Sequence, residues 1–238
     1  MAMDKVTFLQ KARLLQPRYT PSQTVKDQLE AVDLIAAVGP TGVGKSSILE
    51  HSGIHYITSD VTRTPRKDED NGVDYNFRTD YNALYNEIEN GEFVQFVIYQ
   101  TGEFYGTKAS SFPASGPCTM AVIATAIPLF MSLGFHRVLP VYIIPPDYKS
   151  WMKRLGDMRH GELGPRLVEA KVSIETALAN SSFHFMVNDD LITAARMFHD
   201  IAYDKIEDKD AQINARYIAL RLLSQIDSNT PPQLDGLV

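Results

Sequence analysis

Asp33-Leu34-Ile35-Ala36-Ala37-Val38-Gly39-Pro40-Thr41-Gly42-Val43-Gly44-Lys45-Ser46-Ser47 is the stretch that decides the fold. Its first six residues form a short apolar run ending at glycine, as in a strand buried within a parallel sheet. The next eight fit G-x-x-x-x-G-K-[ST], placed between that strand and a helix start. The glycines permit a backbone path whose successive N–H groups converge on phosphate oxygens, helped by the positive end of the following helix. Lys45 adds a point charge for β- and γ-phosphates, and the Ser46 hydroxyl can join a Mg2+ shell. A glycine turn carrying an exposed lysine would need neither the strand nor the helix. The loop marks a nucleotide site without naming the reaction, because such loops also serve GTPases, motor ATPases and transporters.

Outward from the loop, residues 46–51 leave room for only a short helix, and His55-Tyr56-Ile57-Thr58 reads as the next strand. Further strands are expected over 119–125 and over 138–144, the latter stopped by Pro145-Pro146. Helices are expected at about 148–158 and 167–180, then a strand at 183–187 and mostly helix over 191–226. Strands alternating with helices imply an α/β fold with a parallel sheet. Between Asp60 and Ser115 the texture changes to turns, charges and tyrosines, with a helix expected over 81–90 and strands over 93–99 and 103–105. That stretch reads as an insert carried on the core. Upstream, Pro17 and Pro21 divide residues 1–32 into a short helix, a break and a second helix, an arm with no assigned chemistry.

Composition bounds the reading. The 238 residues, 44% hydrophobic and 22% charged, suit one ordinary domain or one core with small inserts. A net charge of −6 argues against non-specific nucleic-acid binding, so anions must be met by local clusters such as Lys45 and the run from Thr62 to Lys67. The lone Cys118 has no internal disulfide partner, and no apolar run reaches the roughly 20 residues of a membrane helix. The expectation is a cytoplasmic protein that does not span a membrane.

The remaining motifs fall in order. Ser59-Asp60-Val61-Thr62-Arg63-Thr64-Pro65-Arg66 precedes Glu69-Asp70-Asn71-Gly72-Val73-Asp74-Tyr75-Asn76-Phe77, and Asn90-Gly91-Glu92-Phe93, Tyr105-Gly106-Thr107 and Val187-Asn188-Asp189-Asp190-Leu191 follow. With the phosphate loop, over about residues 33–200, they resemble the guanylate kinase family. The resemblance implies a P-loop NTPase three-layer core (33–59 and 116–238), a nucleoside-monophosphate-binding insert (60–115) and a short lid at about 156–166, with 1–32 as a separate helical arm. It implies ATP on Gly39, Thr41, Gly42, Val43, Gly44, Lys45, Ser46, Ser47, Asn188 and Asp189, with Mg2+ on Ser46. It places the acceptor on Ser59, Arg63, Arg66, Tyr75, Gln95, Tyr105 and Thr107, and the catalytic cations on Lys45, Arg154, Arg159 and Arg166. Two guanidinium forks and several hydroxyls suit a phosphate dianion.

Three departures shape what the resemblance implies. Gln95 stands where the family usually has a glutamate that accepts from guanine N1–H and the exocyclic amine. A glutamine has one accepting and one donating end, so it can pair with guanine N1–H and O6, with adenine N1 and N6, or with a pyrimidine edge. GMP or dGMP is the expected acceptor, with another or modified nucleoside monophosphate left open. The strand over 119–125 carries no acid where the family has an aspartate pair, leaving Thr125 and water to serve the metal. The helix after Lys45 and the lid are short for the family. A catalytically silent module holding a phosphorylated partner on Ser59, Arg63, Arg66 and Tyr75 is the alternative, although such a module has no physical need for an intact phosphate loop. A monomer or a homodimer is expected, with Ile213, Tyr217, Leu220 and Leu223, spaced helically in the tail, packing on the core or on another subunit.

Overall fold

A computed structural model describes residues 2–67, 69–99, 102–156, 163–205 and 209–229. In chain order the elements are α1 (Lys5–Leu15), α2 (Gln23–Leu29), β1 (Val32–Val38), α3 (Lys45–His51), β2 (His55–Tyr56), β3 (Ser59–Val61) and β4 (Tyr75–Phe77). There follow α4 (Tyr81–Glu89), β5 (Phe93–Ile98), β6 (Phe104–Lys108), β7 (Gly116–Ala121), α5 (Ile127–Met131), β8 (Arg137–Ile144) and α6 (Tyr148–Leu155). The last are α7 (Leu163–Leu178), β9 (His184–Val187), α8 (Leu191–Ala202) and α9 (Lys209–Asn229). Local chemistry fixes several starts: the side chains of Asp4, Ser22, Asp80, Asp147 and Asp190 accept from the backbone N–H three residues on.

One sheet has the order β2-β7-β1-β8-β9, and a second has the order β4-β3-β6-β5. β8 and β9 run parallel, with Val141 opposite His184 and Ile144 opposite Val187. This is the α/β fold with a parallel sheet that the alternation of elements implies.

The bounds of one expected strand need correction. The strand placed over 119–125 runs from Gly116 to Ala121; after Val122 N–H donates to Ala37 O (3.0 Å), residues 124–126 tighten into a turn leading to α5. Pro128 suits the first turn of that helix, where its missing N–H costs nothing. The mostly helical stretch expected over 191–226 is there as α8 and α9, and Asp204, just past α8, has φ 53°. Strands β3 and β4, only three residues each and partly polar, carry no period of their own.

The chain clusters into two compact units. The first comprises Met1–Leu34, His55–Cys118 and Phe130–Arg137. Its core joins Phe8 and Ala12 of α1 to Leu84 and Ile88 of α4 and to Phe93, Phe96, Ile98 and Phe104 of the second sheet. Phe104 meets the edges of Phe8 and Phe93 at centroid distances of 5.6 and 5.5 Å, geometries that aromatic quadrupoles favour. The N-terminal arm packs within this unit: Tyr19 Oη donates to Phe93 O (2.6 Å), and Gln16 Oε1 accepts from Ile98 N–H (2.9 Å). Buried Asp60 is paired with Arg78 and accepts from Asn76 Nδ2 (2.8 Å). Arg78 also bonds Glu87 (2.8 Å), and Lys108 bridges Glu87 and Glu92 (3.1 and 3.0 Å). The charges buried beside the acceptor-side strands are therefore compensated, as burial requires.

The second unit comprises Ile35–Ile54, Thr119–Leu129 and Val138–Val238. Helix α9 packs here through Ala215, Ala219, Leu222 and Ile226, all buried. Lys171 Nζ reaches Asp227 at 2.6 Å, and Arg216 lies over the Phe185 ring at 4.4 Å. Ile213, Tyr217 and Leu220, three of the four residues expected to pack on the core or on another subunit, are exposed and do not pack on the core. The small alanines let the opposite face of the helix approach more closely.

Candidate active site

The loop between β1 and α3 is held in place from behind. Gly44 has φ 91°, and a Cβ there would stand 2.5 Å from Asn188 Nδ2, so only glycine fits. Asn188 is buried and its Nδ2 donates to Val43 O (2.7 Å), while Arg154 donates to Val43 O at 3.5 Å. Arg154 also donates to Asn188 O (2.9 Å) and Asp189 O (3.3 Å), and Trp151 Nε1 donates to Thr41 O (2.9 Å). The Lys45 ammonium donates to Gly39 O (2.6 Å) and Pro40 O (2.9 Å). Burial pushes the Lys45 pKa down to about 8; Glu169 opposes that shift and Arg166 adds to it. Ser46 and Ser47 sit in the first turn of α3.

Beside Gly39 lies a cavity of about 240 Å³ lined by Ile123, Thr125, Val168, Glu169 and Ser173 among others. Its walls are largely apolar, and Glu169 is the one acid among its lining residues. Arg166 donates to Glu169 at 3.2 Å. Thus the loop, Lys45, Arg154, Arg166, Asn188 and Asp189 all belong to the second unit. Arg159 and most of the lid lie outside the described residues.

The residues expected to meet the acceptor belong to the first unit, where four of them form a row across the whole second sheet. Tyr75 of β4 pairs with Ser59 of β3, Ser59 Oγ lies 3.0 Å from Thr107 Oγ1 of β6, and Thr107 pairs with Gln95 of β5. Directly opposed residues share one face of a sheet, so the four side chains stand side by side. Gln95 Nε2 donates to Thr107 Oγ1 (3.3 Å), which also shares a hydrogen bond with the Ser59 hydroxyl. Tyr105, two residues from Thr107 on β6, accepts from Arg63 Nε at 3.0 Å. The Arg63 guanidinium also stacks 4.8 Å from the Tyr75 ring centre.

Sequence reasoning gave Glu69 no role, yet it grips both arginines. Arg63 donates to its two carboxylate oxygens at 2.5 and 2.7 Å, and Arg66 N–H donates at 2.8 Å. That grip holds the Glu69 carboxyl below its usual range. The exposed Arg66 guanidinium lies 3.8 Å from Glu69. Trp151 and Glu169 were also missed, because an indole on an amphipathic helix reads as core and a lone acid on a helix reads as solvated.

A parallel sheet whose strand feeds a phosphate loop, together with a sheet-borne acceptor row, defines the class of P-loop nucleoside monophosphate kinases. The guanylate kinase family model matches residues 32–202. The chain is 30% identical over 190 residues to a guanylate kinase of Gloeobacter violaceus, covering 75% of this chain and 90% of that one. It is 29% identical over 169 residues to a guanylate kinase of Sus scrofa, covering 66% and 84%. The crystal structure of guanylate kinase from Anaplasma phagocytophilum has the same fold, with a TM-score of 0.54 and 23% identity over 79% of this chain and 92% of that one. The chain belongs to the guanylate kinase family and is a nucleoside monophosphate kinase. No helix among the described residues is long and apolar enough to cross a membrane.

Proposed function

We propose that the protein transfers the γ-phosphoryl of ATP, bound with Mg2+, to GMP or dGMP. The observation that carries this reading is the row Gln95, Thr107, Ser59 and Tyr75, which sets a base-reading amide and phosphate-ordering hydroxyls on one sheet face. With Gln95 Nε2 turned to Thr107, its Oε1 is the accepting end offered to a base N–H, as guanine N1–H requires. Ser59, Arg63, Arg66, Tyr75 and Tyr105 order the acceptor phosphate.

On the donor side, the N–H groups of residues 41–47 cradle the triphosphate and Lys45 leaves its carbonyls for the β- and γ-oxygens. Asn188 and Asp189 border the adenine, and Arg154, Arg159 and Arg166 supply positive charge around the transferring group. The acceptor phosphate oxygen is already ionised at neutral pH, so alignment and charge neutralisation suffice and no side-chain base is needed.

The residues present fit Mg2+ delivered by its nucleotide. Ser46 would hold it, with Thr125 and Glu169 close to the loop for its water shell. Among the described residues no cluster of three or more His, Cys, Asp or Glu could hold a metal by itself, which accords with an ion that keeps mostly phosphate and water ligands. When bound, Mg2+ neutralises charge on the phosphoryl being transferred.

The test is a panel in which ATP and Mg2+ are mixed with each ribo- and deoxynucleoside monophosphate, IMP included, and both ADP and diphosphate are quantified. Diphosphate from GMP or dGMP is expected. Diphosphate from another base would reassign the acceptor. ADP alone would make water the acceptor, and no turnover with ATP still bound would favour the silent module.

A further inference from the structure

The phosphate loop works by aiming N–H groups, and each N–H shares a rigid plane with the preceding carbonyl. In a trans peptide the two point in opposite directions, so a donor that pins a carbonyl also aims the next N–H. Trp151 Nε1 donates to Thr41 O at 2.9 Å and so fixes the direction of the Gly42 N–H. Asn188 Nδ2 donates to Val43 O at 2.7 Å and fixes the Gly44 N–H in the same way. Gly44 O accepts from Ile48 N–H (3.0 Å) at the start of α3, whereas Gly39 O and Pro40 O depend on Lys45, which must leave them to meet phosphate. Only donors that do not themselves bind nucleotide can hold the loop through that exchange.

Trp151 meets that condition. It lies on α6, is 1% exposed, and its indole sits edge-on to Tyr148 at 6.0 Å. The same helix closes against the loop: a Cβ on Gly42 would stand 2.5 Å from Leu155 Cδ2 and 3.7 Å from Trp151 Nε1. A side chain at position 42 would therefore collide with the helix that carries the indole.

We propose that Trp151 is a positioning residue for nucleotide binding, its indole N–H holding the phosphate loop in the phosphate-receiving conformation. The proposal rests on the reading of residues 39–47 as the ATP site, and the experiment separates the two. Trp151→Phe keeps a buried ring and removes the donor. Mg-ADP affinity by calorimetry and KM for ATP should each weaken about tenfold, as for loss of one well-made hydrogen bond, with acceptor KM unchanged. Lys45→Ala is the control: if it binds ATP as the parent does, the site assignment fails irrespective of Trp151. Unchanged Mg-ADP affinity in Trp151→Phe, beside a Lys45→Ala that has lost it, would overturn the proposal, as would equal loss of both substrates. Because Trp151 is the one tryptophan in the chain, the unmodified protein supplies an independent readout. Its emission should shift on saturation with Mg-ADP and not with the acceptor alone. Were Trp151→Phe not to fold, an emission indifferent to Mg-ADP would still defeat the idea.

Discussion

The two regions proposed to bind phosphate are made of different material. At 39–47 the ligand groups are backbone N–H, shaped by glycines and pinned by side chains behind the loop. Across β4-β3-β6-β5 the ligand groups are side chains, set in a row by strand register and held by one another. A backbone site can change its side chains and keep its function, provided the glycines and the pins remain. A side-chain site changes its ligand with one substitution, and Gln95 occupies such a place. The donor site is therefore the conservative half of this enzyme and the acceptor site the adjustable half.

The sharpest break between the halves should come from Lys45→Ala. Steady-state transfer is expected to fall on the order of 10³-fold or more, the scale of losing a charge that meets the transferring phosphoryl, with acceptor affinity by calorimetry unmoved. Arg63→Ala should do the converse, weakening the acceptor by about 10- to 100-fold while ATP affinity holds. If each variant lost both ligands alike, the division itself would be wrong.

pH separates the halves next. Bound phosphate returns the Lys45 ammonium from about 8 toward its ordinary range, so nucleotide binding takes up a proton above that pH. ATP affinity should be flat below pH 8 and fall toward about tenfold per unit above it, while acceptor affinity stays level there. In the free protein the sign is opposite to that of a stabilised lysine. The folded state holds fewer protons than the unfolded one above pH 8, so the cost of burying Lys45 is fully present below 8 and is relieved as pH rises toward 10.5. The smallest effect is one of preference. Gln95→Glu should raise the GMP to IMP ratio of kcat/KM by about tenfold, because a carboxylate can accept from the 2-amino group as well as from N1–H.

How much of this could be read in the sequence follows the same division. The proposed donor loop is contiguous, and its strand-loop-helix context made the fold legible from Asp33 to Ser47. The acceptor row joins residues 59, 75, 95 and 107, whose adjacency comes from strand pairing that no local period encodes; resemblance named them, and register explains why they meet. β3 and β4 escaped notice because three-residue strands have no alternation to detect. The end of β7 was misplaced because the apolar run continues past the last ladder bond at Val122. Of the missed site residues only Glu69 left a signal, an acid three positions after Arg66 in a turn otherwise rich in cations. The face of α9 that packs was hidden for the opposite reason, since its contacts are alanines rather than large side chains.

The grip of Glu69 on Arg63 means that acceptor binding is an exchange rather than an addition. A guanidinium has five N–H donors, and four of those on Arg63 are committed to Glu69, Thr64 O and Tyr105. A phosphate arriving at the proposed cradle would meet one uncommitted donor and would have to displace the Glu69 carboxylate to gain two more. The measured affinity for any acceptor is thus a difference between two anions' claims on the same fork, which handicaps weakly charged or badly shaped phosphates more than a well-fitted dianion. A carboxylate that the chain carries with it sets the threshold that every small anion in solution must exceed before it occupies the cradle.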